Sequence, residues 1–147
     1  MTVDEYVIQM KERLAQMAAN RADDAKQMAF DLKAAIQLRI QTQGVNYEEV
    51  KFSPYSPQHT KTRQDKGYQT EYVDFTMTGE LWNDIQPRVT AETETSTTVT
   101  ITANRSANQN KLRGFVNKRG NILLPTEREI QLLNILNQRR INKYINF

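Results

Sequence analysis

The chain has 147 residues and no cysteine, which excludes disulfides, cysteine-ligated zinc and thiol catalysis. Its formal net charge is +3 and its sequence pI is about 9.2, but lysine and arginine are spread along the chain, which favours a solvated surface over a dedicated nucleic-acid-binding one. The length predicts a single domain over residues 1–147, with residues 1–20 as an alternative separate N-terminal helical arm. No apolar run reaches the ~18 residues of a membrane span, and a signal-peptide core is absent, so we expect no membrane contact and a start in the cytosol.

Two amphipathic patterns predict helices in the first third of the chain. A capping box of Thr2 with the glutamate three residues later begins the first pattern. A second pattern covers residues 25–42, and Gly44 is its predicted C-terminal cap. Residues 20–24 are a weak point between them, so we predict either two helices or one bent helix. The apolar stripe of the first helix consists of Val3, Val7, Met10, Leu14 and Met17.

The next stretch lacks helical periodicity. Residues 45–55 predict a short extended segment, at best an edge strand, because Pro54 cannot donate to a β-ladder. Residues 56–66 are polar and aperiodic, and they predict a long, mobile loop that becomes ordered when a partner binds. Gly67 would allow a turn with positive φ at the end of this loop.

A short capped helix is predicted after the loop. Thr78 is its predicted N-cap, residues 80–85 are its body, and Pro87 is expected to stop it. Trp82 is predicted either to lie in the core or to anchor an interface.

The remaining elements are a hairpin and a final helix. Alternation of valine, isoleucine and threonine predicts antiparallel strands over residues 88–94 and 97–103, followed by a turn-rich loop over residues 104–110. A small apolar patch around Phe115 precedes a basic turn at residues 118–121. Thr126 and the glutamate three residues later form a capping box for a helix over residues 127–145.

The sequence offers little for catalysis. The single histidine, His59, has no second histidine or cysteine to share a metal, and the glycines fit no phosphate-binding loop. We therefore expect no enzyme, no cofactor and no metal site.

A small basic nucleic-acid-binding module is the alternative that the residues leave open. Basic side chains surround Tyr68 in one stretch and Phe115 in another, and interleaved aromatic and basic residues can form a stacking groove for single strands. The basic residues concerned are Lys61, Arg63, Lys66, Arg105, Lys111, Arg113, Lys118 and Arg119.

The order of motifs in the chain resembles the tail-completion, or virion morphogenesis, proteins of tailed bacteriophages, which act in head–tail joining at the neck. In that family a helix precedes a Y-S stretch with a spaced arginine and glycine, then V-D-L/F-T-x-T-G-x-L-x-x-x-I, a β-hairpin and a C-terminal segment. The resemblance covers most of the chain from residue 30 onward, including residues 121–129. The matching central residues are Tyr55, Ser56, Arg63, Gly67, Val73, Asp74, Phe75, Thr76, Thr78, Gly79, Leu81 and Ile85.

The resemblance implies an α+β fold. A long N-terminal helix, or two, would pack on a small antiparallel β-sheet with a long loop, and a C-terminal helix would complete the fold. It also implies a virion protein of the head–tail junction, assembled in the host cytoplasm into a ring of six or twelve copies. The ring would contact neighbouring head-completion or adaptor proteins and tail proteins, while DNA passes through its channel without sequence-specific binding.

We expect contacts with neighbours to centre on the loop Ser56–Gly67. Arg63 would pair with a carboxylate of a neighbouring subunit or of the next ring. The expected interface residues are Tyr55, His59, Arg63, Lys66, Gly67, Asp74, Thr78, Gly79 and Trp82.

Overall fold

The computed structural model describes residues 1–146 and confirms the α+β class. Within that part of the chain there are six helices and one two-stranded antiparallel sheet. None of these helices is long and apolar enough to cross a membrane. In chain order the elements are α1 Val3–Ala19, α2 Arg21–Gln43, α3 Pro57–Asp65, α4 Glu80–Asp84, β1 Ile85–Glu92, β2 Thr97–Ala103, α5 Ser106–Arg119 and α6 Glu127–Ile145.

The N-terminal region consists of two helices, separated at Asn20. The capping box of Thr2 and Glu5 is present, and Gly44 caps α2 in the left-handed conformation, with φ +62°, so both predictions are confirmed. Gly44 also lies close to Tyr72: a Cβ at Gly44 would be 2.7 Å from the Tyr72 Cβ. The site therefore requires glycine for two independent reasons.

The predicted hairpin is confirmed, although its first strand begins earlier than expected. β1 and β2 pair from Ile85 opposite Ala103 to Glu92 opposite Thr97. Pro87 does not stop the short helix, because α4 already ends at Asp84 and Pro87 lies within β1. A two-stranded sheet has only edge strands, which tolerate a proline.

Residues 56–66 were predicted to be a mobile loop, and this prediction is wrong. The N–H of His59 donates to Ser56 Oγ at 3.2 Å, and Pro57 sets φ at the first position of α3. Arg63 is the one buried residue of α3. Helix α3 has no apolar stripe. A polar side chain, that of Arg63, attaches it to the rest of the fold instead.

The predicted turn-rich loop over residues 104–110 is also incorrect beyond its first two residues, because α5 begins at Ser106. The backbone N–H of Arg105 and the side-chain amide of Asn108 both donate to Asp84 Oδ2 at 2.9 Å. The hydrogen bond from the Arg105 N–H is the main cause that lowers the pKa of Asp84, and the bond from Asn108 is the next. The start of α5 is thus held by a carboxylate more than twenty residues earlier in the chain.

Two smaller predictions in the middle of the chain need correction. Gly79, with φ +81°, is the N-cap of α4, while Thr78 Oγ1 accepts a hydrogen bond from the N–H of Glu80. Residues 45–55 contribute a single bridge, between Val45 and Lys51, and no regular strand. Pro54 lies outside that bridge.

The core lies between α2, the hairpin and residues 52–85. Trp82 is completely buried in it, so the core alternative for this residue is confirmed. Around it pack Ile36, Ile40, Phe52, Val73, Phe75, Leu81, Ile85, Ala103 and Ile122.

The capping box of α6 is confirmed and also joins two helices. The Glu129 carboxylate accepts a hydrogen bond from the backbone N–H of Thr126 at 2.8 Å. It also accepts hydrogen bonds at 3.2 Å from the Nε–H of the buried Arg39 of α2. Arg39 also donates to the carbonyls of Val45 and Leu124. Since a buried arginine needs several acceptors, this cluster fixes α2 against the start of α6.

Candidate functional site

A concave, mainly apolar cleft of about 680 Å³ lies between α3, residues 75–81 and α5. This size falls in the range of natural binding pockets. We call it the α3–α5 cleft. It is lined by Pro54, Tyr55, Ser56, His59, Arg63, Phe75, Thr76, Met77, Thr78, Gly79, Glu80, Leu81, Lys111, Phe115, Lys118 and Arg119.

Arg63 forms the inner wall of the α3–α5 cleft and is 1% exposed. Its guanidinium donates to the carbonyls of Gln69 at 2.9 Å and Thr76 at 2.8 Å, and to Asp74 Oδ1 at 3.2 Å. It also lies over the ring of Tyr55, 4.7 Å from the centroid. The expectation that Arg63 pairs with a neighbour's carboxylate is therefore not met, because its own chain supplies the acceptors.

Asp74 is the acceptor around which this network is built. Besides the bond from Arg63, its carboxylate accepts hydrogen bonds from the Tyr55 hydroxyl at 3.0 Å, the Gln69 side-chain amide at 2.8 Å and the backbone N–H of Thr76 at 2.9 Å. Burial is the main cause that raises the pKa of Tyr55, which keeps its hydroxyl protonated as a donor. Four donors thus converge on this one carboxylate, so its oxygen atoms have hydrogen-bond partners although the side chain is buried.

Phe75 follows Asp74 in a strained backbone conformation, with φ +53°. Bulky residues rarely adopt this region, and such strain persists only where the surroundings hold it. Here the Trp82 indole N–H donates to the Asp74 carbonyl at 3.3 Å. The Phe75 ring packs edge-on against Phe52 and lies 4.5 Å from the Phe115 ring. The strained turn thus places an aromatic ring in the floor of the α3–α5 cleft.

The rim of the α3–α5 cleft is mainly cationic. Lys111 and Lys118 on α5 are exposed, whereas Arg119 donates to the carbonyls of Ser53 and Pro54, both at 3.3 Å. The one acidic lining residue, Glu80, pairs with Arg105 at the surface. The cleft therefore combines an apolar floor with two exposed lysines that form no ion pair with any residue of the described range 1–146.

His59 adds a titratable group to this rim. Its ring lies 4.9 Å from the Tyr55 ring. Partial burial, followed by the charges of Arg63 and Arg119, lowers the pKa of His59. The neutral imidazole is therefore the dominant form near neutral pH.

The nine interface residues expected from the sequence do not form one continuous surface. Those that line the α3–α5 cleft are Tyr55, His59, Arg63, Thr78 and Gly79. Asp74 and Trp82 lie behind it, in the network and the core. Lys66 and Gly67 are exposed where α3 ends, and Gly67 has the expected positive φ of +77°.

The expected set omits the third wall of the cleft, which α5 provides. Lys111, Phe115 and Lys118 share one helical face through their spacing of four and three residues. That spacing was present in the sequence, but residues 104–110 were predicted to be a loop and residues 118–121 a basic turn, so no helix was expected where α5 extends to Arg119. Phe75, Met77 and Leu81 were also not expected to form a common surface.

Within residues 1–146, no group of three histidine, cysteine, aspartate or glutamate side chains could hold a metal ion. No family model, curated protein or solved structure matches this chain.

Proposed function

We propose that the chain is a structural subunit of a bacteriophage neck, forming a ring that joins the portal and adaptor complex of the capsid to the tail. The observation that carries the proposal is the position of the motif residues. Tyr55, Arg63, Asp74 and Thr76, separated by up to 21 positions, form one partly buried hydrogen-bond network at the wall of the α3–α5 cleft. A structural role of this kind would explain why the motif side chains bond to one another within the fold.

The surfaces of the long helices support a subunit role. Large apolar side chains remain exposed on α1, α2 and α6, where a neighbouring subunit could cover them. Leu38 on α2 is 65% exposed, and Leu132 and Ile135 lie exposed on one side of α6. In a ring, each subunit presents one surface to the next subunit and a different surface to the previous one.

The proposal is tested by reconstitution. The purified chain is mixed with the adaptor and tail proteins encoded beside it, and the products are analysed by native mass spectrometry and negative-stain electron microscopy. We expect a closed ring of six or twelve copies that occurs at the head–tail junction of particles. A chain that is absent from particles and forms no ring with any of these proteins would contradict the proposal.

A second candidate, a small nucleic-acid-binding module, is favoured by one feature. Lys111 and Lys118 are exposed beside Phe115 in the α3–α5 cleft, which resembles a basic groove with an aromatic platform. The other basic group suggested by the sequence is weakened, because Arg63 is buried. A gel-shift titration at two salt concentrations tests this candidate, and binding that weakens steeply with salt would support it.

A further inference from the structure

Helix α1 carries an apolar stripe that residues 1–146, the part of the chain that the structure describes, cover only in part. Val3, Val7 and Leu14 lie on one side of the helix and are 79%, 41% and 52% exposed. Met10 and Met17, on the adjoining side, are only half-buried, and no residue of α1 is buried. An amphipathic helix is stabilised mainly by packing of its apolar face, so this stripe is suited to a partner outside the subunit.

The α3–α5 cleft is chemically complementary to the start of α1. The first turn of α1 carries Asp4 and Glu5 beside Val3 and Val7, so it is both acidic and apolar. The cleft offers an apolar floor and a cationic rim. Charge complementarity of this kind orients two surfaces and selects between partners.

We propose that the α3–α5 cleft of one copy receives the N-terminal half of α1, residues 3–10, from a second copy. Asp4 would face the lysines of α5, and Val3 and Val7 would enter the apolar floor beside Phe115. This inference rests on the proposed ring function and names the contact that links successive subunits.

The positions of the two surfaces make this contact directional. The cleft is lined by residues from 54–81 and α5, and none of its lining residues belongs to α1 or α6. One subunit can therefore donate its α1 and accept a neighbour's α1 at the same time. Such head-to-tail contacts produce a closed ring when the rotation between subunits closes, and a filament when it does not.

A charge exchange between two variants of the full chain tests the contact. Lys118→Glu places a carboxylate in the cleft, and Asp4→Lys places a cation on α1; both sites are exposed. Like charges then meet in each variant alone, and we expect self-association measured by sedimentation velocity to weaken by about tenfold or more. In an equimolar mixture, every junction between unlike variants pairs opposite charges, so association is expected to return to the wild-type level. The control is Lys61→Glu, at an exposed position of α3 outside the cleft, which should associate like the wild type.

A disulfide-trapping experiment locates the contact. The chain contains no cysteine, so single cysteines can be introduced without background. A Val7→Cys variant mixed with a Met77→Cys variant should form a crosslinked heterodimer under mild oxidation. A Val7→Cys variant mixed with Val116→Cys should not, because Val116 is an exposed α5 residue that does not line the cleft.

The outcomes separate this inference from the proposed function. A wild-type chain that stays monomeric at high concentration, unchanged association in the charge variants, or equal crosslinking to Val116→Cys would overturn the α1 contact. Rings that still form on particles with Lys118→Glu would leave the neck function standing without this contact. Charge-dependent association of a chain that never enters particles would keep the contact and reject the neck function.

Discussion

Residues 52–85 and helix α1 differ in where their side chains find partners. In residues 52–85, the buried Arg63 and Asp74 bond to each other and to groups of the same segment, and Trp82 donates to a carbonyl there. Helix α1 buries no residue and keeps Val3 79% exposed. The first region therefore has its partners within the fold, whereas the apolar stripe of the second is only partly covered by the described residues 1–146.

This difference predicts two kinds of response to mutation. Changes within residues 52–85 should lower the free energy of unfolding, because they leave buried groups without partners. Changes on the exposed side of α1 should leave unfolding nearly unchanged. Trp82 is the only tryptophan and is fully buried, so its fluorescence reports unfolding of the core directly.

The largest effect is expected for Arg63→Ala. This change leaves Asp74 buried without its ion-pair partner, and breaking a buried pair by removing one member costs about 3–5 kcal/mol. Urea unfolding followed by Trp82 fluorescence measures the loss. The matched control is Arg105→Ala, which removes an exposed pair with Glu80 and should cost about 0–1 kcal/mol.

A double variant, Arg63→Ala with Asp74→Ala, sharpens this result. If the loss in Arg63→Ala arises from the unpaired carboxylate, the double variant should cost clearly less than the sum of the two single variants. Equal losses for Arg63→Ala and Arg105→Ala would contradict the buried network.

The second largest effect is expected for Gly44→Ala. The new Cβ would lie 2.7 Å from the Tyr72 Cβ, and the backbone has φ +62°. Strain in the left-handed region costs about 1–2 kcal/mol and overpacking about 1–3 kcal/mol, so we expect a loss of about 2–5 kcal/mol. Gly67→Ala is the control, since Gly67 has φ +77° but a Cβ added there would meet no atom within 4 Å, and it should lose only about 1–2 kcal/mol. Similar losses in the two variants would show that Tyr72 does not crowd the site.

The sequence predicted those helices and strands whose characteristic residue patterns lie within the element itself. The capping boxes and apolar stripes of α1 and α6 lie within each helix, and the alternation of β2 lies within the strand, so their bounds were predicted well. Helices α3 and α5 were missed because distant groups hold them. Arg63 attaches α3 to residues 69–76, and Asp84 caps α5.

The α3–α5 cleft was predicted only in part for the same reason. Tyr55, His59 and Arg63 were chosen from a motif that is continuous in sequence. Phe115 enters the cleft from α5, and Phe75 does so through a positive φ that a bulky residue rarely adopts. No local pattern indicates such a conformation, because the surrounding tertiary contacts enforce it.

A smaller effect is expected when the N-cap threonine of each capping box is replaced by alanine. Thr126 is buried, and its box includes Glu129, which pairs with Arg39, so Thr126→Ala should lower the free energy of unfolding by about 1–2 kcal/mol. Thr2→Ala removes the same type of cap from α1, where no residue is buried. We therefore expect the free energy of global unfolding to change by no more than about 0.5 kcal/mol, but we expect faster hydrogen exchange in the first turns of α1. Equal global losses would show that α1 unfolds together with the core.

The smallest effect concerns His59, on the rim of the cleft. Its pKa in the folded protein lies below the ordinary value, chiefly through burial and then through the charges of Arg63 and Arg119. The unfolded chain therefore binds a proton more readily, and stability should fall slightly as the pH drops from about 6.5 towards the lower folded pKa, then level off below it. As the only histidine, His59 gives a single imidazole Hε1 resonance, whose NMR titration midpoint should lie below about 6.5. His59→Gln should remove this part of the pH dependence, and a midpoint at or above the ordinary value would contradict the partly buried, cation-flanked environment of the ring.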